Sequence, residues 1–439
     1  MNGEMELKKG ELPKPGRAAK HRPRLAMILS ILYAGLGQIY NKRYGKGILL
    51  VIIETAFLVT FWDYLNIGFW GLVTLGEIPM VDHSIFLLIQ GLISLLLVGF
   101  ALTIYVINIR DAYKEAQEIV EGKRRPTWKE AIKHSWDVGF PYIFLTPGLI
   151  MLLFIVVLPI MFMVALAFTN YNLYHSPPRK LLDWVGFENF LNLVKVPIWQ
   201  DTFFSVLSWT IVWTLVATTL QIALGLFLAI LVNDPRIKFK KLIRTILILP
   251  WAVPSFVTIL IFAAMFNDEF GAINRDVLGP LGLSFPWMND PFYTKLALIF
   301  IQTWLGFPFV FALFTGVLQS ISKDWYEAAE MDGGTRWQKF RYITLPHVLY
   351  ATAPLLIMQY TGNFNNFNII YLFNEGGPAV RGQTAGGTDI LISWVYKLTF
   401  QTNNYNMAAA ISLIIGLIVC GFAFFQFRRT RSFKEEGNI

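Results

Sequence analysis

The sequence predicts an all-α, polytopic helical membrane protein with about eight transmembrane helices. Three observations carry that prediction. Hydrophobic residues make up 55% of the 439 residues and charged residues only 15%, whereas soluble domains are about one quarter charged. Apolar runs of about twenty or more nearly uncharged residues recur along the chain, the length needed to cross a bilayer core. Lys and Arg gather in alternate polar segments, as they do when one side of the membrane retains them.

The first 24 residues are polar and basic, and no small-residue cleavage site follows a short apolar core, so no signal peptide is expected. Residues 25–40 are apolar but short, contain Gly35 and Gly37, and have basic clusters on both sides. They are read as interfacial or re-entrant, a true span being the alternative. The candidate spans are 46–70, 84–109, 141–168, 202–232, 242–266, 292–319, 347–373 and 405–427. An even number places both termini on one side. Of the 37 Lys and Arg residues, 30 fall in the two tails and in the segments 42–46, 110–138, 233–244 and 322–346. The positive-inside rule therefore expects those segments and both termini in the cytoplasm. The net charge of +8 is then a topology signal and a contact for anionic membrane lipid, not a nucleic-acid interface.

Composition divides the chain in two. Residues 1–138 hold the cytoplasmic tail, the short apolar segment, two spans and a basic linker with Lys114, Glu115 and Glu118 on an exposed surface; residues 139–433 form a denser six-span block. The single cysteine, Cys420, permits no intramolecular disulfide. No phosphate loop of the G-x-x-x-x-G-K-[ST] type, no metal-ligand spacing and no nucleophile–base constellation is present, so no enzyme active site, metal or cofactor is expected. Glu54 and Asp63, in or near the first span, could serve a proton-coupled carrier, but they lie outside the six-span block and a structural role is the simpler reading.

Residues 322–346, ISKDWYEAAEMDGGTRWQKFRYITLP with the preceding Ile321, are a polar island between two apolar runs. Asp324 is expected to cap a helix from Trp325, with Glu327 completing a capping box. Asp332-Gly333-Gly334 breaks it, and a second helix over 335–342 leads to Pro346 at the start of the next span. An amphipathic connector resting on the headgroups would share that pattern.

Polar residues inside spans mark pathways more often than chance. Gln359, Asn363 and Asn366 recur at i, i+4, i+7 beside Gly362, and Gln302, Leu305, Gly306 and Phe309 at i, i+3, i+4, i+7. Amides, glycine and aromatic rings without charge suit an uncharged polyhydroxylated ligand. Helix–helix glue is the alternative use of such amides, and the better reading for Asn365 or Asn368 taken alone.

Glu327-Ala328-Ala329, Asp332-Gly333 and Leu345-Pro346 resemble the EAA loop of binding-protein-dependent ABC importer permeases, with Gly334 where alanine is usual. Ala167-Phe168-Thr169-Asn170-Tyr171, Gly186-Phe187-Glu188-Asn189-Phe190, Gly362-Asn363-Phe364-Asn365-Asn366-Phe367 and the Asn374-to-Pro378 turn are similar to segments of the maltose permease family. The resemblance implies a six-span importer core that receives a sugar, maltose or maltodextrin first, from an extracellular sugar-binding protein. It implies substrate contacts at Gln302, Leu305, Gly306, Phe309, Gln359, Gly362, Asn363 and Asn366, with Gly362, where a bulky aromatic is usual, either widening the site for longer oligosaccharides or marking a different sugar. It implies ATPase coupling at Glu327, Ala328, Ala329, Asp332 and Gly333, a second related permease subunit, and two copies of an ABC ATPase that binds ATP in place of this chain. The external segment 172–201 is short, which favours the simpler loop of Gram-positive members. An ion-coupled secondary sugar carrier is the alternative; it predicts central carboxylates, and the six-span block shows none.

Overall fold

The computed structural model describes residues 21–122 and 128–429. The basic tail through residue 20, the linker residues 123–127 and the tail from 430 lie outside the described residues. Among the described residues the chain is helical, its only β structure being two isolated bridges, Thr169 with Trp184 and Ala379 with Gly386. It divides into two compact units, 1–165 with 174–183, and 166–173 with 184–439.

The first unit contains α1 (Pro23–Leu32), α2 (Leu36–Tyr40), α3 (Tyr44–Thr74), α4 (Ser84–Val120) and α5 (Trp128–Leu152), then a π-helical turn and α6 (Leu158–Leu166). The apolar segment 25–40 is two short helices of 10 and 5 residues, broken at Gly35 with φ +90°, and neither is long enough to cross. A break inside a membrane must satisfy its own backbone. Here the N–H of Ala34 donates to Oε2 of Glu54 at 2.5 Å, the Tyr105 hydroxyl donates to the carbonyl of Ile31, and Nε2 of Gln38 donates to the carbonyl of Asn108 at 3.1 Å. Glu54 therefore holds the break between α1 and α2 in place. In the first turn of α3, Lys46 binds Asp111 at 2.7 Å and Glu115 at 3.3 Å, both on α4. The expectation of Glu115 on an exposed surface is corrected by that pairing: α4 continues to Val120 and turns Glu115 onto α3.

The second unit holds α7 (Glu188–Lys195), α8 (Pro197–Asn233), α9 (Lys240–Ala252), α10 (Ser255–Met265) and α11 (Pro291–Ser320). They are followed by α12 (Lys323–Met331), α13 (Arg336–Lys339), α14 (Leu345–Phe364), α15 (Phe367–Asn374), α16 (Leu391–Phe400) and α17 (Tyr405–Arg429). α8 packs most extensively on α11. Gly225 makes the close approach possible, since a Cβ there would stand 2.9 Å from Val310. Trp213, Phe311 and Phe314 are fully buried along this contact and the neighbouring cores.

Of the eight expected spans, six are helical segments long and apolar enough to cross, the one over Gly139–Leu166 running through the π-helical turn. The expected span 242–266 is instead α9 and α10, bent by 87°. Pro250 removes a helix donor, and Pro254 forces Val253 into the extended region, so the axis breaks there. The expected span 347–373 is also divided, with Asn365 and Asn366 between α14 and α15.

The polar loop 322–346 folds as two short helices, with two corrections. Ser322 caps α12, accepting from the N–H of Asp324 at 3.2 Å, and the helix starts at Lys323 ahead of the expected position. The capping box belongs to α13, where the Thr335 hydroxyl accepts from the N–H of Gln338, whose side chain accepts from the N–H of Thr335 at 2.7 Å. Beyond Lys339 a π-helical turn leads directly into α14.

Candidate functional site

α9, α10, α11, α14 and α15 surround a cavity of about 630 Å³. α11 is continuous from Pro291 to Ser320, so its i, i+3, i+4, i+7 spacing survives folding, and Gln302, Leu305, Gly306 and Phe309 all line the cavity. Gln359 of α14 and Asn366 from the break line it too, joined by Asn368 and Ile369 of α15. Gly362 and Asn363 do not. A Cβ at Gly362 would meet open space. Asn363 is only 3% exposed and faces α8: its Nδ2 donates to the Thr218 hydroxyl at 2.8 Å and its Oδ1 accepts from Nε2 of Gln302 at 2.8 Å. The backbone carbonyl of Asn363 accepts from Nε1 of Trp213 at 2.9 Å. These bonds fix the end of α14, and with it the position of Asn366.

The bent pair adds a wall that the sequence reading missed. Pro250, Trp251, Ala252, Val253, Pro254 and Ser255 line the cavity, because the break turns this stretch inward. The indole of Trp251 stands 5.8 Å from the ring of Phe309, edge to face. Two prolines four residues apart were the available signal. Gln221 of α8 was missed as well. Thr210, Thr214, Thr218 and Gln221 lie on one face of α8 at i, i+4, i+8, i+11, and all are buried.

The cavity therefore presents amides, a serine hydroxyl, an indole and a phenyl ring, with no Asp, Glu, Lys or Arg in its lining. Such a wall hydrogen-bonds hydroxyls in either direction, offers ring faces to apolar C–H patches, and carries no counter-charge for an ionic ligand.

The loop between α11 and α14 presents a different surface. Glu327, Ala328, Asp332 and Gly333 are exposed and Ala329 is half-buried. Gly333 takes φ +77°, and its N–H bonds the carbonyl of Glu330 at 3.0 Å while that of Gly334 bonds the carbonyl of Ala329 at 2.7 Å. This is the Schellman arrangement that ends a helix. A Cβ at Gly334 would stand 2.7 Å from the Ala329 carbonyl, so the turn closes too tightly there for a side chain without a shift. Lys339 binds Glu330 and holds its carboxyl below the usual range. The Tyr326 hydroxyl shares a 2.8 Å hydrogen bond with Thr344, and the Trp325 ring meets His347 edge to face at 5.5 Å. The loop is thus braced against the first turns of α14, the helix that carries Gln359.

After α15, the turn from Asn374 to Pro378 is closed over a buried carboxylate. Asp389 accepts from the N–H of Gly386 at 2.7 Å, from the Ser393 hydroxyl at 2.8 Å and from Nζ of Lys397 at 2.5 Å. Burial pushes its carboxyl up while Lys397 holds it back. Gly376, with φ +73°, leaves the space that Asp389 fills. The carbonyl of Gly377 accepts from the Thr388 hydroxyl at 2.7 Å, which ties the turn to the same segment.

Long apolar helices, two broken segments around a neutral cavity and a braced polar loop define an integral-membrane permease. Residues 221–431 match the family described as the inner membrane component of binding-protein-dependent transport systems. The galactooligosaccharides transport system permease protein GanP of Bacillus subtilis is 55% identical over 95% of this chain and 100% of its own length. The maltodextrin transport system permease proteins MdxF of Bacillus subtilis and MalC of Streptococcus pneumoniae are 48% and 47% identical, over 94% and 95% of this chain and 97% and 98% of theirs. The crystal structure of a bacterial ABC transporter that imports alginate has the same fold, with a TM-score of 0.57 at 23% identity over 70% of this chain and 98% of that one. The chain belongs to the sugar permeases of binding-protein-dependent ABC importers, and it is a plasma-membrane protein.

Proposed function

We propose that this chain carries an uncharged oligosaccharide through the neutral cavity between α9, α10, α11, α14 and α15. The observation that carries the reading is the lining itself: Gln302, Gln359, Asn366 and Ser255 beside Trp251 and Phe309, without an ionisable side chain. Gln302, Leu305, Gly306, Phe309, Gln359 and Asn366 are the direct contacts proposed, while Asn363 acts from behind through Gln302. Gly362 is retained only as backbone at the end of α14.

Two sugar classes fit. Galactooligosaccharides come first, because the relative named for them is 55% identical over nearly the whole chain. Maltose and maltodextrin are the second reading, supported by relatives at 48% and 47% identity. Energy comes from two copies of a separate ABC ATPase, which bind the ATP and dock on Glu327, Ala328, Ala329, Asp332 and Gly333. A second, related permease subunit completes the path, and an extracellular binding protein of a Gram-positive-type cell delivers the sugar. Both termini and the loop 322–346 face the cytoplasm, which agrees with the distribution of Lys and Arg. The ion-coupled alternative loses its best residue, since Glu54 is bonded to the backbone of the α1–α2 break.

Uptake of labelled sugars by cells carrying the Trp251→Ala or Gln302→Leu chain tests the site. Uptake of the native oligosaccharide should fall in both at unchanged chain level. Uptake equal to the unsubstituted chain in both would remove the cavity from the path.

A further inference from the structure

Gln221 lies in the middle of α8 and is fully buried, yet it is not among the residues that line the cavity. A buried amide inside a membrane span needs partners at both ends. Its Nε2 donates to Oε1 of Gln359 at 3.0 Å, and its Oε1 accepts from Nε2 of Gln302 at 3.3 Å. Oε1 of Gln302 in turn accepts from Nδ2 of Asn366 at 3.0 Å. Four amides on three helices and the α14–α15 break thus run head to tail, Gln359, Gln221, Gln302, Asn366, with one branch where Nε2 of Gln302 also donates to Oδ1 of Asn363 at 2.8 Å.

Such a chain has two free ends, and here they are the amide nitrogen of Gln359 and Oδ1 of Asn366, both on cavity-lining residues. One end is a donor and the other an acceptor. Turning one amide over would set two donors or two acceptors against each other, so the whole chain keeps a single sense and each bond polarises the next. A second observation marks Gln221 as built in. A Cβ at Gly306 would overlap Oε1 and Cδ of Gln221, so the absent side chain at 306 is the space that Gln221 occupies.

We propose that Gln221 is a positioning residue for the ligand: by joining Gln359 to Gln302 it turns the Gln359 amide nitrogen to the cavity as a donor, opposite the Asn366 acceptor that Gln302 orients. That pairing selects a ligand offering a donor and an acceptor together, as adjacent sugar hydroxyls do, over one that offers acceptors alone. The proposal rests on the cavity being the sugar site.

The test is transport by the complete importer in proteoliposomes, with its binding protein and ATPase, measured against oligosaccharide concentration. Gln221→Met keeps the length and approximate volume beside Gly306 but cannot bridge two amides. The expected result is an apparent KM raised about tenfold with Vmax within about twofold, the pattern of lost ligand binding without lost turnover. Gly306→Ala should shift KM in the same direction by displacing Gln221. The two together should be no worse than the more severe single, because both break one chain. An unchanged KM in Gln221→Met overturns the proposal. So does a loss of assembled complex and Vmax with KM unmoved, which would make Gln221 a packing residue. A complex with no substitution that transports no neutral sugar overturns the sugar reading, and the proposal with it, before any variant is made.

Discussion

Replacing Asp389 with alanine leaves three donors without their acceptor. The Asp389 side chain is 0% exposed and that of Lys397 15%, so solvent does not replace the lost partner. Stranding a buried charge of this kind costs about 3–5 kcal/mol. At about 1.4 kcal/mol per tenfold change, local opening of the segment should rise by about two to three and a half powers of ten. Hydrogen exchange on peptides covering residues 376–397 of the assembled complex reads that opening directly. Asp389→Leu with Lys397→Met removes the stranded charge and should recover part of the protection, the remainder being held back by the Gly386 N–H that still lacks its acceptor. Less than a tenfold rise in exchange for Asp389→Ala would refute the reasoning. Equal exchange in the single and double variants would refute it too. The segment closes the turn after α15, which carries Asn368 and Ile369 into the cavity, so sugar affinity should fall together with protection.

Three further outcomes follow from the geometry. Glu327→Lys reverses an exposed charge on α12 and should abolish co-purification of the ATPase and transport while membrane insertion stays intact; survival of both would end the coupling role. Gly333→Val places a β-branched residue at φ +77° and should cost about 1–2 kcal/mol of loop stability, read as faster proteolysis of the loop 322–346 in the complex. Glu54→Gln keeps an acceptor for the N–H of Ala34, so uptake and its pH dependence should match the unsubstituted chain, whereas a proton-coupled carrier would lose uptake.

What the sequence could show depended on whether a helix stayed whole. α11 runs unbroken through Pro308, so the four positions spaced along it reach one cavity together. The stripe Gln359, Asn363, Asn366 assumed the same continuity, but α14 ends at Phe364. Asn363, still within α14, is drawn away from the cavity by its bonds to Thr218 of α8 and to Gln302, while Asn366, beyond the helix end, lines the cavity. Trp251 and Ser255 stayed hidden because 242–266 reads as one apolar run; only the paired prolines mark the 87° bend. Gln221 was visible only as one polar residue in a long span, and its partners are 81 and 138 residues away in the sequence. The loop 322–346 was legible as helix, glycine turn and helix because capping and φ > 0 are local effects. Its first cap was displaced because Ser322 and Asp324 are both good capping residues, and the extended Ser322 takes the role.

The central claim is that this chain gives a neutral oligosaccharide a path whose use is tied to a separate ATPase through the loop 322–346. The direct measurement is ATP hydrolysis by the complete complex in proteoliposomes, with and without sugar-loaded binding protein, alongside sugar accumulation in the same vesicles. Galactooligosaccharide or maltodextrin should stimulate hydrolysis and accumulate only when ATP is present, and Glu327→Lys should abolish both. Accumulation driven by an ion gradient without ATP, or hydrolysis indifferent to both sugars, would contradict that claim.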